Sequence, residues 1–210
     1  MQSAKRIADS TVRRLSAYLR FLEDFDGRGL ATISSAELAR RGGTTSAQVR
    51  NDLSFFGSFG KRGLGYSVAE LAGRLREILG LGRQWKIIIV GAGRIGAALV
   101  QYRGFRQRGF RVLAAYDSDA GKVGKTLEGI AVRDMHHLER DVRKEPPDIA
   151  VLAVPSEFAQ TAVNRVVACG VKAILNFAPE QLQVPADVTV RNVNMAIELE
   201  GLSFALTNRD

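Results

Sequence analysis

The sequence predicts an α/β protein in which a small helical domain precedes a larger domain built on a parallel β-sheet. In residues 1–80, apolar side chains recur at helical spacing and glycine-rich segments interrupt them. From Trp85 onward, short apolar runs alternate with helical patterns, which is typical of a parallel sheet. These patterns place the domains at 1–80 and 81–192, with a C-terminal helical segment at 193–210.

The composition is that of a globular protein with a basic surface. The chain is 46% hydrophobic and 25% charged, and its formal net charge is +8. It has no run of about eighteen apolar residues, as a membrane span requires, and its N-terminus lacks a signal-peptide core. We therefore expect a cytoplasmic protein that does not contact membranes and whose positive charge suits a polyanionic partner. The single cysteine, Cys169, excludes an internal disulfide and is predicted to be a small core residue.

Four helices are predicted in the first domain. The first carries an apolar stripe of Val12, Leu15, Leu19 and Leu22. Each of the other three begins with a hydroxyl residue followed three positions later by Glu or Gln. This is the spacing of a capping box, in which each side chain satisfies the other's backbone N–H. The motifs are Ser34-Ser-Ala-Glu37, Thr45-Ser-Ala-Gln48 and Ser67-Val-Ala-Glu70. The second and third helices, joined through Gly42-Gly43, have the outline of a helix-turn-helix.

The third helix separates into an apolar and a polar face. At about 100° per residue, Val49, Leu53 and Phe56 fall together and form the predicted buried side. Short or hydrogen-bonding side chains occupy the opposite side: Ala47, Arg50, Asn51 and Ser54. Such residues suit a DNA major groove, where arginine binds guanine and asparagine binds adenine. A merely solvated helix face is the alternative for this helix taken alone.

A glycine-rich segment follows this helix, with four glycines between Phe55 and Tyr66. We expect a small hairpin anchored by aromatic residues, with Lys61 and Arg62 at its tip. A basic hairpin after a DNA-reading helix is a wing that can contact the minor groove or phosphates. A phosphate-binding P-loop is disfavoured, since no strand precedes the segment and no Gly-Lys-Ser/Thr follows it. The residues predicted to contact DNA are Arg14, Ser46, Ala47, Gln48, Arg50, Asn51, Ser54, Lys61 and Arg62.

The second domain opens with a dinucleotide-binding pattern. The apolar run Trp85-Lys-Ile-Ile-Ile-Val90 leads directly into a glycine-rich turn, and an apolar helical pattern follows. In such a strand–turn–helix unit, backbone N–H groups and the helix dipole hold a pyrophosphate. The predicted phosphate-binding residues are Gly91, Ala92, Gly93, Arg94, Ile95 and Gly96.

A second strand ends at Asp117, twenty-one residues after Gly96. A carboxylate at this place accepts hydrogen bonds from the adenosine ribose and repels a 2′-phosphate, so it favours NAD(H) over NADP(H). Lys122, five residues later, is also assigned to the cofactor site and weakens this discrimination. The alternative is that Asp117 merely opens the turn that follows it.

Further strands are predicted at 129–132, 148–154 and 171–177, with a crossover helix at 157–169. They are apolar throughout, as expected of a parallel sheet that is covered on both faces. Ligands of such sheets bind at the carboxyl ends of the strands. This places Val154, Pro155, Asn176 and Phe177 near the nicotinamide end of the cofactor.

No catalytic residue and no metal site are predicted. A dehydrogenase needs a proton donor or acceptor beside the nicotinamide, and the only histidines, His136 and His137, precede a surface-like helix. A bound dinucleotide without catalytic groups suggests a signal rather than a reagent. An NAD-dependent oxidoreductase, or a CoA- or nucleotide-binding enzyme subunit, is the alternative.

The last predicted helix, from about Met195 to Leu206, has one apolar stripe and further apolar residues on other sides. Packing into a second subunit would bury such a helix, and a symmetric dimer suits two DNA half-sites. The alternative is a helix that folds back onto its own domain.

Several segments resemble the Rex family of redox-sensing transcriptional repressors, from about residue 10 to the end and in the expected order. The most specific is Gln48-Val-Arg-Asn-Asp-Leu-Ser-Phe-Phe-Gly-Ser-Phe-Gly-Lys-Arg-Gly-Leu-Gly-Tyr66, which is similar to that family's DNA-reading helix and wing. The others are Val90-Gly-Ala-Gly-Arg-Ile-Gly96, Ile174-Leu-Asn-Phe-Ala-Pro179 and Val193-Asn-Met-Ala-Ile-Glu-Leu-Glu-Gly-Leu-Ser-Phe204.

The resemblance implies a homodimer with an N-terminal winged helix-turn-helix domain, a C-terminal Rossmann sheet and a C-terminal helix swapped between subunits. It implies that the protein holds a pseudo-palindromic operator in double-stranded DNA when the NADH/NAD⁺ ratio is low, and that NADH releases it. Tyr102 matches a position near the cofactor. Asn51 stands where the family usually has Lys or Arg, and Asn194 stands where an acid is often found, which bears on an ion pair with Arg14.

Overall fold

The computed structural model describes residues 7–60 and 64–208 of the chain. The chain divides into two compact units, with the boundary between Arg83 and Gln84. The first unit is mainly helical and the second is built on a β-sheet, which confirms the predicted fold class. Within the described ranges, no helix combines the length and the apolar character that a membrane crossing demands.

Helices form most of the first unit. They are α1 (Asp9–Gly27), α2 (Ser35–Gly42), α3 (Ser46–Ser54) and α4 (Val68–Ile78). The hydroxyl half of the predicted capping motifs is confirmed, because the Ser34, Thr45 and Ser67 hydroxyls each accept the backbone N–H three residues later. The Glu37 carboxylate binds the Arg40 guanidinium. Gly43, at a φ of 59°, ends α2 in the left-handed region and permits the tight turn before α3.

One apolar core holds these helices together. Its fully buried members include Leu15, Leu19, Leu22, Leu38, Val49, Leu53, Leu71 and Leu75. Val12 was predicted to belong to this core, but it does not, because it is 38% exposed. The buried face of α1 passes instead through Thr11, Leu15 and Tyr18, one position short of Val12.

The segment from Phe55 to Tyr66, predicted to be a hairpin, pairs with a different part of the chain than expected. Strand β2 (Tyr66–Ser67) pairs antiparallel with β1 (Thr32–Ile33), which precedes α2, rather than with residues just after α3. Gly65 makes this pairing possible, since a Cβ there would lie 2.4 Å from the Ile33 carbonyl oxygen. The expected anchoring by aromatic residues is present, because Phe56 and Phe59 pack against the core.

The second unit contains a seven-stranded sheet. Its strands are β3 (Trp85–Val90), β4 (Phe110–Asp117), β5 (Thr126–Leu127), β6 (Ile130–Asp134), β7 (Ile149–Leu152), β8 (Ala173–Asn176) and β9 (Thr189–Asn192). The spatial order is β5-β6-β4-β3-β7-β8-β9, and only the β5–β6 pair is antiparallel. Without β5, this is the Rossmann strand order, and its direction of winding reverses between β3 and β7.

Helices cover both faces of the sheet near this reversal point. They are α5 (Arg94–Gln101), α6 (Arg103–Gln107), α7 (Leu138–Lys144) and α8 (Ser156–Ala168). Ile88 and Val90 of β3 belong to the core cluster that includes α7 and α8, whereas Ile87 and Ile89 share a cluster with Val100 of α5. Cys169, at the end of α8, packs against the first of these clusters, as its predicted core role requires.

The C-terminal helix α9 (Met195–Thr207) carries no buried residue. Six of its large apolar side chains are 59–71% exposed in the single chain: Met195, Ile197, Leu199, Leu202, Phe204 and Leu206. At about 100° per residue, Met195, Leu199, Leu202 and Leu206 form one stripe, and Ile197 and Phe204 lie on the opposite side of the helix, so a single flat surface cannot cover them all.

Candidate functional site

The glycine-rich turn between β3 and α5 is shaped by close backbone contacts. Gly91 has a φ of 97°, and a Cβ there would lie 2.3 Å from the Ala153 carbonyl oxygen. A Cβ at Gly96 would lie only 1.8 Å from the Gly91 carbonyl oxygen. Gly93 differs, since nothing lies within 4 Å of its Cβ position. The first and third glycines therefore build the turn, whereas the second leaves open space beside the start of α5.

Asp117, at the end of β4, ties this turn to the next strand. Its Oδ2 atom accepts the backbone N–H of Ala92 at 2.8 Å and the Lys122 ammonium at 3.1 Å, and Oδ1 accepts the N–H of Asp119 at 2.9 Å. Burial raises the pKa of Asp117, but these hydrogen bonds outweigh it and the net pKa is lowered. An ionised carboxylate can accept about four hydrogen bonds, so Asp117 keeps room for a ligand hydroxyl.

A cavity of about 530 Å³ lies beside this turn. Its lining includes six of the predicted cofactor residues: Gly91, Gly93, Asp117, Lys122, Val154 and Pro155. The lining also includes apolar residues, among them Val154, Pro155 and Phe158. The volume lies in the usual range for small-molecule sites, and the sheet reversal is where α/β ligands bind. These residues fit a dinucleotide, with space for a pyrophosphate, an acceptor for a ribose hydroxyl and apolar surface for a ring.

Other predicted cofactor residues lie outside this lining. Arg94 and Ile95 are exposed at the start of α5. Tyr102 directly follows the last residue of α5. It is eight residues from Arg94, the first residue of this helix, and therefore lies about 12 Å from the glycine-rich turn along the helix axis. It is 56% exposed and packs edge-to-face on Phe105 at 5.2 Å. Within one chain, the structure does not bring Tyr102 to the cavity.

Asn176 and Phe177 are used within the fold. The Asn176 amide nitrogen donates to the Ala178 and Glu180 carbonyls and to the Asn192 side chain, and its oxygen accepts the Ala178 N–H. Asn176 is fully buried, so its side chain organises the turn after β8. Phe177 packs against the apolar cluster on the α5 side of the sheet.

Sequence reasoning missed the contribution of α8 to the cavity. Phe158, Thr161 and Arg165 of this helix line it, together with Met135. The Arg165 guanidinium binds both carboxylate oxygens of Glu139 and the Met135 carbonyl oxygen, which fixes one wall. The signal available in the sequence was a phenylalanine three residues after Pro155, at the start of the predicted crossover helix.

The histidines stand apart from this cavity. His136 and His137 are exposed in a short 3₁₀ helix, Met135–His137, and neither is among the cavity-lining residues. Across the described residues, no group of three or more His, Cys, Asp or Glu side chains could hold a metal ion.

In the first unit, α3 presents the predicted polar face to solvent. Ala47, Arg50, Asn51 and Ser54 are exposed, whereas Val49 and Leu53 are fully buried. Ser46 is the first residue of the helix. The Arg50 guanidinium donates to the Ser35 hydroxyl at 3.1 Å, which leaves other N–H groups of this side chain available. Lys61 and Arg62 lie outside the described residues.

Arg14 and Gln48, both predicted to contact DNA, bind a buried acid within the first unit. Asp52 of α3 is fully buried and accepts hydrogen bonds from Arg14, Gln48 and Tyr18. Burial raises the pKa of Asp52, but these hydrogen bonds outweigh it and the net pKa is lowered. The sequence carried a signal for this role, since at about 100° per residue Asp52 falls beside the apolar arc of α3.

Family models match both halves of the chain. Residues 6–54 match a model described as a putative DNA-binding protein N-terminus, and residues 82–180 match one described as a CoA binding domain. The two matches follow the division into a helical unit and a sheet unit.

Full-length relatives and solved structures extend these matches. The chain is 47% identical over 199 residues to the redox-sensing transcriptional repressor Rex of Carboxydothermus hydrogenoformans, covering 95% of this chain and 96% of the relative. It is similar to the crystal structure of RSP, a Rex-family repressor, in complex with β-NAD⁺ and operator DNA. The identity is 37% and the TM-score 0.91, and the match covers 95% of this chain and 92% of the RSP chain. The chain is also similar to RSP in complex with β-NADH, with 35% identity and a TM-score of 0.88; this match covers 96% of this chain and 95% of the RSP chain.

Proposed function

Because the chain belongs to the Rex family of redox-sensing transcriptional repressors, we propose that it binds operator DNA and releases it when NADH binds. The observation that carries this proposal is the joint presence of a dinucleotide cavity and an exposed polar face on a helix-turn-helix in one chain. Its relatives are named transcriptional repressors, so the dinucleotide acts as a signal and not as a reagent. The proposal includes a cytoplasmic location, since a repressor must reach its operator DNA.

The DNA contacts are assigned to the exposed side of α3. Arg50 and Asn51 carry side chains that can bind base edges in the major groove, and Ala47 and Ser54 allow close approach. Lys61 and Arg62 are proposed to contact the minor groove or phosphates. Arg14 and Gln48 serve to position α3, because their polar groups bind Asp52.

The cofactor contacts are assigned to the cavity beside the glycine-rich turn. The pyrophosphate approaches the backbone at Gly93, where no side chain obstructs it, and the start of α5 supplies N–H groups. Asp117 accepts a hydroxyl of the adenosine ribose, and its negative charge disfavours a 2′-phosphate. Val154 and Pro155 offer apolar surface to the nicotinamide.

A symmetric homodimer completes the proposal. The apolar side chains of α9 are exposed in the single chain, and an apolar groove of about 260 Å³ on the sheet is lined by Ile87, Ile149, Val151 and Leu175. An α9 exchanged with a second subunit would bury these apolar surfaces. Their burial stabilises association roughly in proportion to the apolar area removed from water. Two α3 helices related by a two-fold axis then suit a pseudo-palindromic operator.

Release of DNA requires that NADH bind one subunit arrangement more tightly than the other. A ligand with equal affinity for both arrangements does not change the equilibrium between them, however tightly it binds. The redox state of the nicotinamide therefore controls the protein only through the surfaces that contact this ring. A residue such as Pro155 supplies one of these surfaces.

The test is operator binding, measured by fluorescence anisotropy, across a series of NADH/NAD⁺ ratios at fixed total dinucleotide and fixed salt. Constant salt is needed because phosphate contacts make DNA affinity steeply salt-dependent. We expect the fraction of DNA bound to fall as the ratio rises, while NAD⁺ alone leaves it high. Binding that is independent of the ratio refutes the sensor, and steady NADH oxidation with a small carbonyl compound favours an enzyme instead.

A variant separates the two halves of the proposal. Arg50→Ala should weaken operator binding at every ratio and leave NADH affinity unchanged, because Arg50 lies on the exposed face of α3. Equal loss of both activities in a folded variant contradicts this division.

A further inference from the structure

A second cavity, of about 820 Å³, lies in the sheet unit at the opposite end of the strands. Its lining comes from the last turn of α5, from α6 and from the first residues of β4, including Gln101, Arg103, Arg106 and Arg111. The dinucleotide cavity lies instead at the carboxyl ends of β3 and β4. Arg111 and Asp117 are six residues apart in β4, which corresponds to about 20 Å of extended strand. A ligand in one cavity therefore leaves the other accessible.

The sequence around this second cavity contains a short internal repeat. Arg103-Gly-Phe-Arg106 recurs five residues later as Arg108-Gly-Phe-Arg111. Arg103, Arg106 and Arg111, which belong to this repeat, all line the same cavity. Glu128 is the single carboxylate in its lining. The lining therefore carries a net positive charge, as a phosphate-binding site requires.

The arginines differ in their partners. Arg111 forms an ion pair with Glu145, which is not part of the lining. Among the residues that the structure describes, neither Arg103 nor Arg106 has an ion-pair partner. Guanidinium groups bind phosphates through two parallel hydrogen bonds, so these two side chains can bind an anion without first breaking an internal contact.

Aromatic side chains occupy the same lining. Tyr102 packs edge-to-face on Phe105 at 5.2 Å, and Phe105 on Phe110 at 6.4 Å. A Cβ at Gly104 would lie 2.5 Å from the Tyr102 ring, so this glycine permits the ring to lie against α6. More than half of the Tyr102 surface remains exposed. It can contact a planar base, and such stacking tolerates different bases.

We propose that this second cavity binds a nucleoside polyphosphate, with its phosphates at Arg103 and Arg106 and its base against the exposed aromatic surface. The cavity lies in the usual volume range for small-molecule sites. This cavity and the dinucleotide cavity share no lining residue. The second cavity shares Phe105 and Phe110 with the apolar groove proposed to receive α9, whereas Tyr102, Arg103 and Arg106 do not line that groove.

The experiment is a calorimetric titration of ATP into the full chain saturated with NADH, which occupies the dinucleotide cavity. We expect one ATP per chain, and a Kd at least tenfold higher in the double variant Arg103→Ala/Arg106→Ala. Unchanged NADH affinity in this variant shows that the sheet unit is folded. The matched control is Arg143→Ala/Lys144→Ala, which removes the same charge from the exposed end of α7.

Each outcome decides the proposal. If ATP does not bind to the NADH-saturated protein, the proposal of a separate site is wrong. It is also wrong if the control variant Arg143→Ala/Lys144→Ala weakens ATP binding as much as Arg103→Ala/Arg106→Ala does. Tripolyphosphate as a second probe tests the role of the base. If it binds as tightly as ATP, the nucleoside part of the proposal is wrong; weaker binding supports it.

Discussion

The guanidinium of Arg14 in α1 binds both carboxylate oxygens of Asp52 in α3, with distances of 2.6 Å from Nε to Oδ2 and 2.7 Å from Nη2 to Oδ1. The Tyr18 hydroxyl and the Gln48 amide donate to the same carboxylate at 3.0 Å and 2.8 Å. Because Asp52 is fully buried, these contacts fix the helix proposed to read DNA against α1. The orientation of that helix therefore depends on residues that do not themselves face the groove.

Arg14→Ala should destabilise the first unit by about 3 kcal/mol, because a buried carboxylate loses its charged partner. This is the lower end for a broken buried ion pair, since Arg14 is 28% exposed and water can partly replace it. The measurement is urea unfolding followed by circular dichroism. The control is Arg13→Ala, an exposed neighbour on the same helix that should change stability by less than about 0.5 kcal/mol. Equal effects of the two substitutions would show that the Asp52 contact contributes nothing specific.

Tyr18 should make the first unit sensitive to alkali. Burial, followed by its hydrogen bond to Asp52, raises the pKa of Tyr18 to about 12 from an ordinary value of 10.0. A raised pKa contributes stability that is complete below the unfolded pKa and is lost as the pH rises through the folded one. The unfolding free energy should therefore fall between pH 10 and 12, and less steeply in Tyr18→Phe. Tyr102→Phe, which alters an exposed ring, should retain the wild-type slope; identical slopes in all three proteins contradict the assignment.

Gly93 and Gly96 should respond differently to alanine. A Cβ at Gly93 meets no atom within 4 Å, so Gly93→Ala should fold normally but bind NADH at least tenfold more weakly, because the methyl group occupies the proposed pyrophosphate space. Gly96→Ala places a Cβ 1.8 Å from a backbone oxygen and should lower the melting temperature. Thermal unfolding and NADH fluorescence titration separate the two effects. Normal NADH binding by folded Gly93→Ala rules out the proposed phosphate position.

Asp117→Asn should weaken NADH binding about tenfold to a hundredfold, since hydrogen bonds to a charged group contribute about 1.5–3 kcal/mol. Operator binding by the protein without dinucleotide should remain. Asp187→Asn removes the same charge from an exposed site paired with Lys172 and should leave NADH affinity unchanged. If Asp117→Asn binds NADH like the wild type, the carboxylate does not contact the ribose.

Local sequence signals predicted most of the fold and part of the site. The caps at Ser34, Thr45 and Ser67 and the contact between Gly91 and Gly96 involve residues close in sequence, so their spacing was sufficient. The partners of Asp52 include Arg14, which is thirty-eight residues away, and spacing along one helix cannot identify such a contact.

Side-chain polarity also misled in one place. Asn176 stands at the carboxyl end of a strand, where ligands bind, yet its amide is used by Ala178, Glu180 and Asn192. Position at a strand end does not show whether a polar group is already occupied within the fold. Only the full set of its hydrogen-bond partners settles that.

Leu202→Glu should weaken the proposed homodimer by at least tenfold in Kd. Leu202 is 62% exposed in the single chain, so its substitution removes no contact of that chain's own core. Any effect therefore reports on burial in a second subunit, where a leucine side chain contributes about 1.5–3 kcal/mol and both copies are changed. Sedimentation equilibrium measures the Kd.

The matched control is Leu30→Glu, which places the same charge on an exposed leucine after α1, outside α9. We expect this variant to associate like the wild type. A monomeric wild-type protein, or equal association of both variants, contradicts exchange of α9. If Leu202→Glu becomes monomeric and also loses operator affinity while it still binds NADH, two α3 helices must act together on the DNA, because a single half-site supplies only part of the phosphate and base contacts.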